Sequence, residues 1–292
     1  MKTGRLVFTL LLLSSAAVFQ LAAQKAEIDQ KWVEGIKAKA EAGDAASEFR
    51  LGLRYERGEG LAKDFAEAAK WYRKAAEQNF APAQSNLGIC YDKGEGVAKD
   101  QLEAVKWFRK AAEQNFAPAQ YNLGVCYHKG KGVAKDYVEA VKWYRKAAEQ
   151  NYADAQSNLG VCYTKGEGVA KDQVEAMKWY RKAAEQNLAD AQYNLGVCYA
   201  TGEGVAKDYV EAAKWFRKAA EQNHAEAQYN LSVCFYTGDG VAKDYVAAYK
   251  WRLLAATQGD EDAKTSMTML EDKMTPEQIA AGKNLADNFK PQ

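Results

Sequence analysis

An all-α solenoid, an α/α stack of short helical hairpins, is the fold class that the sequence predicts. Three observations predict it. A block of 36 residues recurs six times in the 292-residue chain, marked by Trp71, Trp107, Trp143, Trp179, Trp215 and Trp251. Each block holds two stretches whose apolar residues follow the 3.6-residue period of a helix. Each stretch is about a dozen residues, too short to be stable alone in water, so neighbouring copies must bury one another's apolar faces.

The copies run Asp44–Asn79, Phe80–Asn115, Phe116–Asn151, Tyr152–Asn187, Leu188–Asn223 and His224–Gly259, the last the most altered. In the second copy Ala83, Leu87, Cys90 and Tyr91 share one face of the first helix, and Ala104, Trp107, Phe108 and Ala111 one face of the second. Pro82 and Pro118 suit the first helical position, where a missing N–H costs nothing, and Asp154, Asp190 and Glu226 bring negative charge to the same place. Gly94 supplies the left-handed stop. Asp100 then caps the second helix, with Glu103 as the reciprocal partner of a capping box. The pair recurs as Asp64/Glu67, Asp136/Glu139, Asp172/Glu175 and Asp208/Glu211. Asn79, Asn115, Asn151, Asn187 and Asn223 end the second helix because asparagine tolerates left-handed backbone.

Gly88, with Gly52, Gly124, Gly160 and Gly196, sits mid-helix, where glycine costs roughly 1 kcal/mol against alanine. Repeating that cost implies that helices approach closely there; Ser232 takes the place in the sixth copy. Trp143→Ala is expected to cost about 3–5 kcal/mol if the ring is fully buried.

At the start, residues 1–23 read as a secretory signal: Lys2 and Arg5, then the apolar run Leu6 to Leu13, then Ala22-Ala23 as a cleavage point. This implies a secreted or periplasmic protein, and no other segment is apolar enough to span a bilayer. Residues 24–43 are expected to form a capping helix with Trp32, Ile36 and Ala40 on one face. Residues 44–259 hold the repeats, and 260–292 are expected to close the far end. There Ala263, Met267 and Leu270 continue a first-helix pattern, and Thr275-Pro276-Glu277-Gln278 starts a last helix bearing Ile279, Leu285 and Phe289.

A formal charge of +1, which becomes −1 once Lys2 and Arg5 leave with the signal, gives no drive toward nucleic acid or anionic lipid. The five cysteines, Cys90, Cys126, Cys162, Cys198 and Cys234, occupy one column. Equivalent positions in stacked helices lie about 8–10 Å apart, beyond the ~7 Å a disulfide bridges, so five buried free thiols are predicted. The chemistry of catalysis is sparse. There is no S-x-x-K and no H-E-x-x-H, and His128 and His224 are the only histidines. The G-x-G loops follow helices and read as turns, not phosphate cradles. A binding protein without enzymatic activity or cofactor is the expectation.

The columns that vary between copies point to where binding would occur. One reads Phe49, Ser85, Tyr121, Ser157, Tyr193, Tyr229, and another Glu56, Asp92, His128, Thr164, Ala200, Tyr236. A third runs Arg57, Lys93, Lys129, Lys165, Thr201, Thr237. Positions 85, 88, 89 and 92 are a turn apart, so these columns are predicted to share a face away from the core.

The run Leu123-Gly124, Tyr127, Gly130, Gly132-Val133, Asp136, then Ala140, Trp143-Tyr144 and Lys146-Ala147-Ala148, is similar to the Sel-one-like repeat, a relative of the tetratricopeptide repeat. The likeness covers Asp44 to Gly259, and Met274 to Ala280 resembles the end of bacterial members. The resemblance implies a right-handed superhelix whose first helices line a concave groove, and an adaptor that binds a protein or peptide. On that reading Tyr121, Tyr193, Tyr229, Tyr236, His128, Lys93, Lys129 and Lys165 are the candidate binding residues, basic at one end and aromatic at the other. Tyrosine also stacks on sugars, so a small-molecule or glycan (cell-wall) ligand is the alternative. A secreted cysteine-rich branch in Helicobacter has been associated with β-lactam binding or hydrolysis. That branch carries a second cysteine per repeat, where this chain has alanines such as Ala111 and Ala112.

Overall fold

The computed structural model describes residue 20 and residues 31–291. The signal expected at 1–23 (residue 20 aside) and the start of the N-terminal cap lie outside the described residues. Every element among the described residues is a helix, and the helices fall into two compact units, up to Lys135 and from Asp136 onward. The first unit holds α1 (31–41), α2 (Ala45–Arg57), α3 (Phe65–Glu77), α4 (Ala81–Lys93), α5 (Gln101–Glu113) and α6 (Ala117–Lys129). The second holds α7 (Tyr137–Glu149), α8 (Ala153–Lys165), α9 (Gln173–Glu185), α10 (Ala189–Thr201), α11 (Tyr209–Glu221), α12 (Ala225–Thr237), α13 (Tyr245–Thr257), α14 (Glu261–Glu271) and α15 (Pro276–Asp287). Within each unit the helices from α2 to α14 pack chiefly on the ones before and after them, the contact pattern of a solenoid of hairpins, and α15 folds back onto α13.

Local chemistry sets each boundary. The first helix of a copy starts one residue earlier than the spacing suggested, at Ala81 and Ala117, so Pro82 and Pro118 occupy its second position. The physics is the same, because that N–H is also without an intrahelical partner. Gly94 stops the helix with φ 80°, and its N–H donates to the Cys90 carbonyl. Asn79, Asn115, Asn151, Asn187 and Asn223 are all left-handed, φ 63° to 68°, past the second-helix ends.

The capping box is half formed. Asp100 Oδ1 accepts the Glu103 N–H at 3.0 Å, but Glu103 turns outward to Lys106, with Oε2 and Nζ 2.9 Å apart. Glu67, Glu139, Glu175 and Glu211 pair with Lys70, Lys142, Lys178 and Lys214 in the same way. The reason is tertiary. The Asp100 N–H that the glutamate should have accepted already donates to the Tyr91 carbonyl, as Asp172 does to Tyr163 and Asp208 to Tyr199. Among the described residues a reciprocal box forms where no such loop intervenes, between Thr275 and Gln278.

Packing inside a hairpin turns on the mid-helix glycines. A Cβ on Gly88 would lie 2.6 Å from the Phe108 ring, and Gly52, Gly160 and Gly196 press as closely on Tyr72, Tyr180 and Phe216. Leu87, Leu159, Leu195 and Leu231 are fully buried beside them.

Two devices join one copy to the next. The second loop glycine is one: Gly96 (φ 74°) lies so close to Phe65 that a Cβ would be 1.9 Å from its carbonyl oxygen, and Gly168, Gly204 and Gly240 repeat the contact on Tyr137, Gln173 and Tyr209. The glycine loops therefore clamp the preceding copy. The other is a buried amide network: Gln84 donates to the Ala76 carbonyl and to Asn79, and accepts from Gln114 of its own copy's second helix. Gln156, Gln192 and Gln228 do the same in the second unit. The periodicity of apolar residues carries no sign of it.

The five cysteines are buried and free, as expected. Burial pushes Cys90, Cys126 and Cys162 up to about 12 and Cys198 and Cys234 to about 11. A thiol reagent at pH 8 should therefore find no reactive cysteine in the folded chain and five in denaturant without reductant. A thiol held protonated when folded ionises first in the unfolded chain. These five groups should thus lower stability as pH rises from about 9 toward 11–12, measurable as a falling urea midpoint.

Three side chains depart from expectation. Trp32 is 51% exposed and lies under the Arg54 guanidinium, while Val33 joins Ile36 and Ala40 on the buried face of α1. Trp143 is half-buried, with Lys146 over its ring at 4.3 Å, so the loss on truncation belongs below the range for a fully buried ring. Leu285 is exposed at 47%; α15 instead seats Gly282 and Ala286 on α13, with Gly282 against Tyr249 and Phe289 edge-on to Trp251. Ala263 and Leu270 are fully buried.

Candidate binding surface on the first helices

The first helices present the variable columns, but not on a face free of the core. The column of Gly88 lies against the ring of the second helix, so the columns of Ser85 and Asp92 flank a buried aromatic on either side. Ser85 and Ser157 are buried there, whereas Tyr121, Tyr193 and Tyr229 are too large to sink and remain half-exposed. The ring tip reaches the second column: the Tyr72 hydroxyl donates to Glu56, and the Tyr180 hydroxyl lies 3.1 Å from Thr164 Oγ1.

In the first unit Lys93 and Lys129 are exposed and Tyr121 and His128 half-buried. Lys93 Nζ stands 3.8 Å from Glu95, and Asp92 pairs with Lys131 at 3.3 Å, so this basic end is partly compensated. In the second unit Lys165 is exposed at the end of α8. Tyr193 stacks on His224, with centroids 4.9 Å apart and planes at 23°, and packs on Phe216. His224 is held in place because its Nδ1 accepts the Ala227 N–H as the α12 cap while Nε2 meets Asp190 at 3.3 Å. Burial, reinforced by the charge of Glu226, raises the Tyr193 hydroxyl above its ordinary pKa.

Tyr229 and Tyr236 are brought together by a residue that the sequence reading passed over. Where the other copies have Tyr or Phe, the sixth has Arg252, and where they have glycine it has Ser232. Arg252 is 3% exposed. Its Nε donates to Ser232 Oγ (3.3 Å), Nη1 donates to the Ser266 carbonyl (3.0 Å), and its guanidinium lies 5.9 Å from the Tyr229 ring and 5.5 Å from that of Tyr236. The paired departure from the repeat, small residue and ring together, was the available signal. Tyr236 also packs on Tyr245, with Lys243 within 5.8 Å of both rings.

Among the described residues no group of three or more His, Cys, Asp or Glu is arranged to hold a metal ion, and no helix is long and apolar enough to cross a membrane. Hairpins of 13-residue helices recurring in register define an α/α repeat protein of the tetratricopeptide-like class. The chain belongs to the Sel1 repeat family: residues 45–80, 81–116, 117–152, 153–188, 189–224 and 225–260 each match the Sel1 repeat, one residue out of phase with the copies as delimited above.

Two solved structures are similar. One is c5321, described as a protective antigen present in uropathogenic Escherichia coli strains displaying an SLR fold, 38% identical with a TM-score of 0.78 over 87% of this chain and 56% of that one. The chain thus spans just over half the length of that relative. The other is a Sel1 repeat protein from Oxalobacter formigenes, 36% identical with a TM-score of 0.72, covering 82% of this chain and 96% of that one. Comparison with curated proteins finds no match.

Proposed function

We propose that the chain is an exported, non-enzymatic scaffold that holds a protein or peptide partner against the first helices of its hairpins. The observation that carries this reading is the contrast between columns. The glycine, leucine, glutamine and asparagine columns that join the copies barely change, while the adjoining surface columns run from lysine to tyrosine. Half-buried tyrosine offers apolar area and a hydroxyl on a rigid base, the combination enriched at protein interfaces. Membership of a helical-repeat family supports it further, because stacked repeats create extended binding faces. Export rests on Lys2, Arg5, the following apolar run and the small residues at Ala22-Ala23.

A photo-crosslinking residue placed at Thr201 or Thr237, both exposed beside these columns, should capture one defined protein from a native envelope extract. The same residue at Lys178, on the outer side of a second helix, should not. Capture from Lys178 alone would move the interface to the second helices. Recovery of a cell-wall glycan instead of protein, or turnover of nitrocefin, would replace the scaffold reading by one of its alternatives.

A further inference from the structure

Among the described residues, no acid lies beside the buried guanidinium of Arg252. Arginine stays charged at any ordinary pH, and burying its charge is costly unless an anion or a full set of acceptors answers it. Here Nε and Nη1 reach a hydroxyl and a carbonyl, and among the described residues Nη2 makes no hydrogen bond and no carboxylate lies within ion-pair distance. The absence has a place in the repeat. The column that faces the tip of the ring holds carboxylates early in the chain, Glu56 and Asp92, and Glu56 accepts from the Tyr72 hydroxyl. Opposite Arg252 the same column holds Tyr236. The copy with a buried cation is therefore a copy without the acid, and two tyrosines of the candidate surface stand over the charge.

Two further cations, Arg217 and Lys243, stand nearby. Arg109 and Arg181 donate to the hydroxyls of Tyr127 and Tyr199, but in the sixth copy that tyrosine is Phe235, and Arg217 is left over its ring at 5.4 Å without a hydrogen bond. Arg217 and Lys243 line an open cleft of about 790 Å³ with Phe235, Tyr245 and Asp244, whose Oδ1 is engaged as the cap of α13 by the Val246 and Ala247 N–H groups.

We propose that Arg252, with Tyr229 and Tyr236, is a recognition site for an aspartate or glutamate side chain of an acidic peptide, whose carboxylate takes the free edge of the guanidinium. The inference rests on the reading of this face as the binding surface and names the chemistry of the partner. A planar carboxylate fits a single guanidinium edge, and the flanking rings exclude water around it. Desolvation makes such a contact a strong discriminator between acid and amide.

The test uses the full chain labelled at arginine nitrogens and two blocked alanine pentapeptides, one with a central glutamate and one with glutamine. The glutamate peptide should shift the Arg252 Nε–H resonance saturably, and the glutamine peptide should bind about tenfold more weakly or not at all. Arg252→Tyr combined with Ser232→Lys is not the control, because it leaves a new cation; Arg252→Tyr with Ser232→Gly restores the repeat pattern and should fold, yet lose the preference for glutamate. Equal binding of the two peptides, or the preference surviving in that double variant, would overturn the proposal, as would inorganic phosphate saturating the site below the peptide's concentration. Crosslinked capture that persists in the double variant while the glutamate preference is absent from the parent chain sinks the acidic contact alone. Failure of capture in the parent chain sinks the surface reading beneath it.

Discussion

Gly168→Ala should destabilise the chain by several kilocalories per mole, although it adds a single methyl group in a surface loop. Gly168 sits at φ 74°, where an L-residue costs about 1–2 kcal/mol. The added carbon would lie 2.1 Å from the Tyr137 carbonyl oxygen and 2.4 Å from its carbon. Those are backbone atoms at the start of α7, so no rotamer change relieves the overlap, and the loop must lift off the neighbouring copy at a further cost of about 1–3 kcal/mol. Gly35→Ala is the matched control. Gly35 is exposed in α1 with nothing within 4 Å of a built Cβ, so alanine there should be neutral or gain up to about 1 kcal/mol of helix propensity. Urea melts of the two variants against the parent decide it. Coincident midpoints for Gly168→Ala and parent would mean that the loop does not clamp the copies together.

That loop also shows where the sequence is legible and where it is not. Helix stops, asparagine caps and the mid-helix glycines follow from nearest-neighbour sterics, and each is found where the repeat puts it. The cap glutamates do not close the box because the N–H they would serve is taken by a carbonyl of the preceding helix, a contact across a loop that no local pattern encodes. Val33 and not Trp32 is buried because two adjacent residues fit a short helix's apolar stripe almost equally well, and the seat of Ile36 and Ala40 on Leu51 and Trp71 chooses between them. For the candidate surface, the columns were legible by their variation. What lies beneath them was not. Arg252 reaches Tyr229 and Tyr236 from the second helix, and its role becomes visible only once the guanidinium is seen without an acid. The glutamine column was invisible for a related reason: a buried amide breaks an apolar period rather than extending it.

Gln192→Leu tests that column, and a loss of about 2–4 kcal/mol is expected from a near-isosteric change toward greater hydrophobicity. Gln192 is 1% exposed. Its amide donates to the Ala184 carbonyl at 3.3 Å and to Asn187 Oδ1 at 3.0 Å, and its oxygen accepts from Gln222 at 2.8 Å. Leucine would fill the volume but remove three hydrogen bonds at once, at about 1 kcal/mol each; the Ala184 carbonyl keeps the Asn187 N–H and Asn187 Oδ1 keeps Gln222, so the cost is that of the lost bonds. The left-handed turn at Asn187, φ 67°, is held by the same atoms, so the joint between the fourth and fifth copies should loosen with it. Gln222→Leu alone removes the donor shared by Gln192 Oε1 and Asn187 Oδ1 but leaves Gln192 its own two acceptors, two lost bonds against three, and should cost less. In a double-mutant cycle the pair should show a coupling of about 0.5–3 kcal/mol, because the second change removes a partner that the first has already orphaned. A Gln192→Leu melt within about 0.5 kcal/mol of the parent, the range of ordinary surface changes, would show that the copies are held by apolar contact and the glycine loops without the amides.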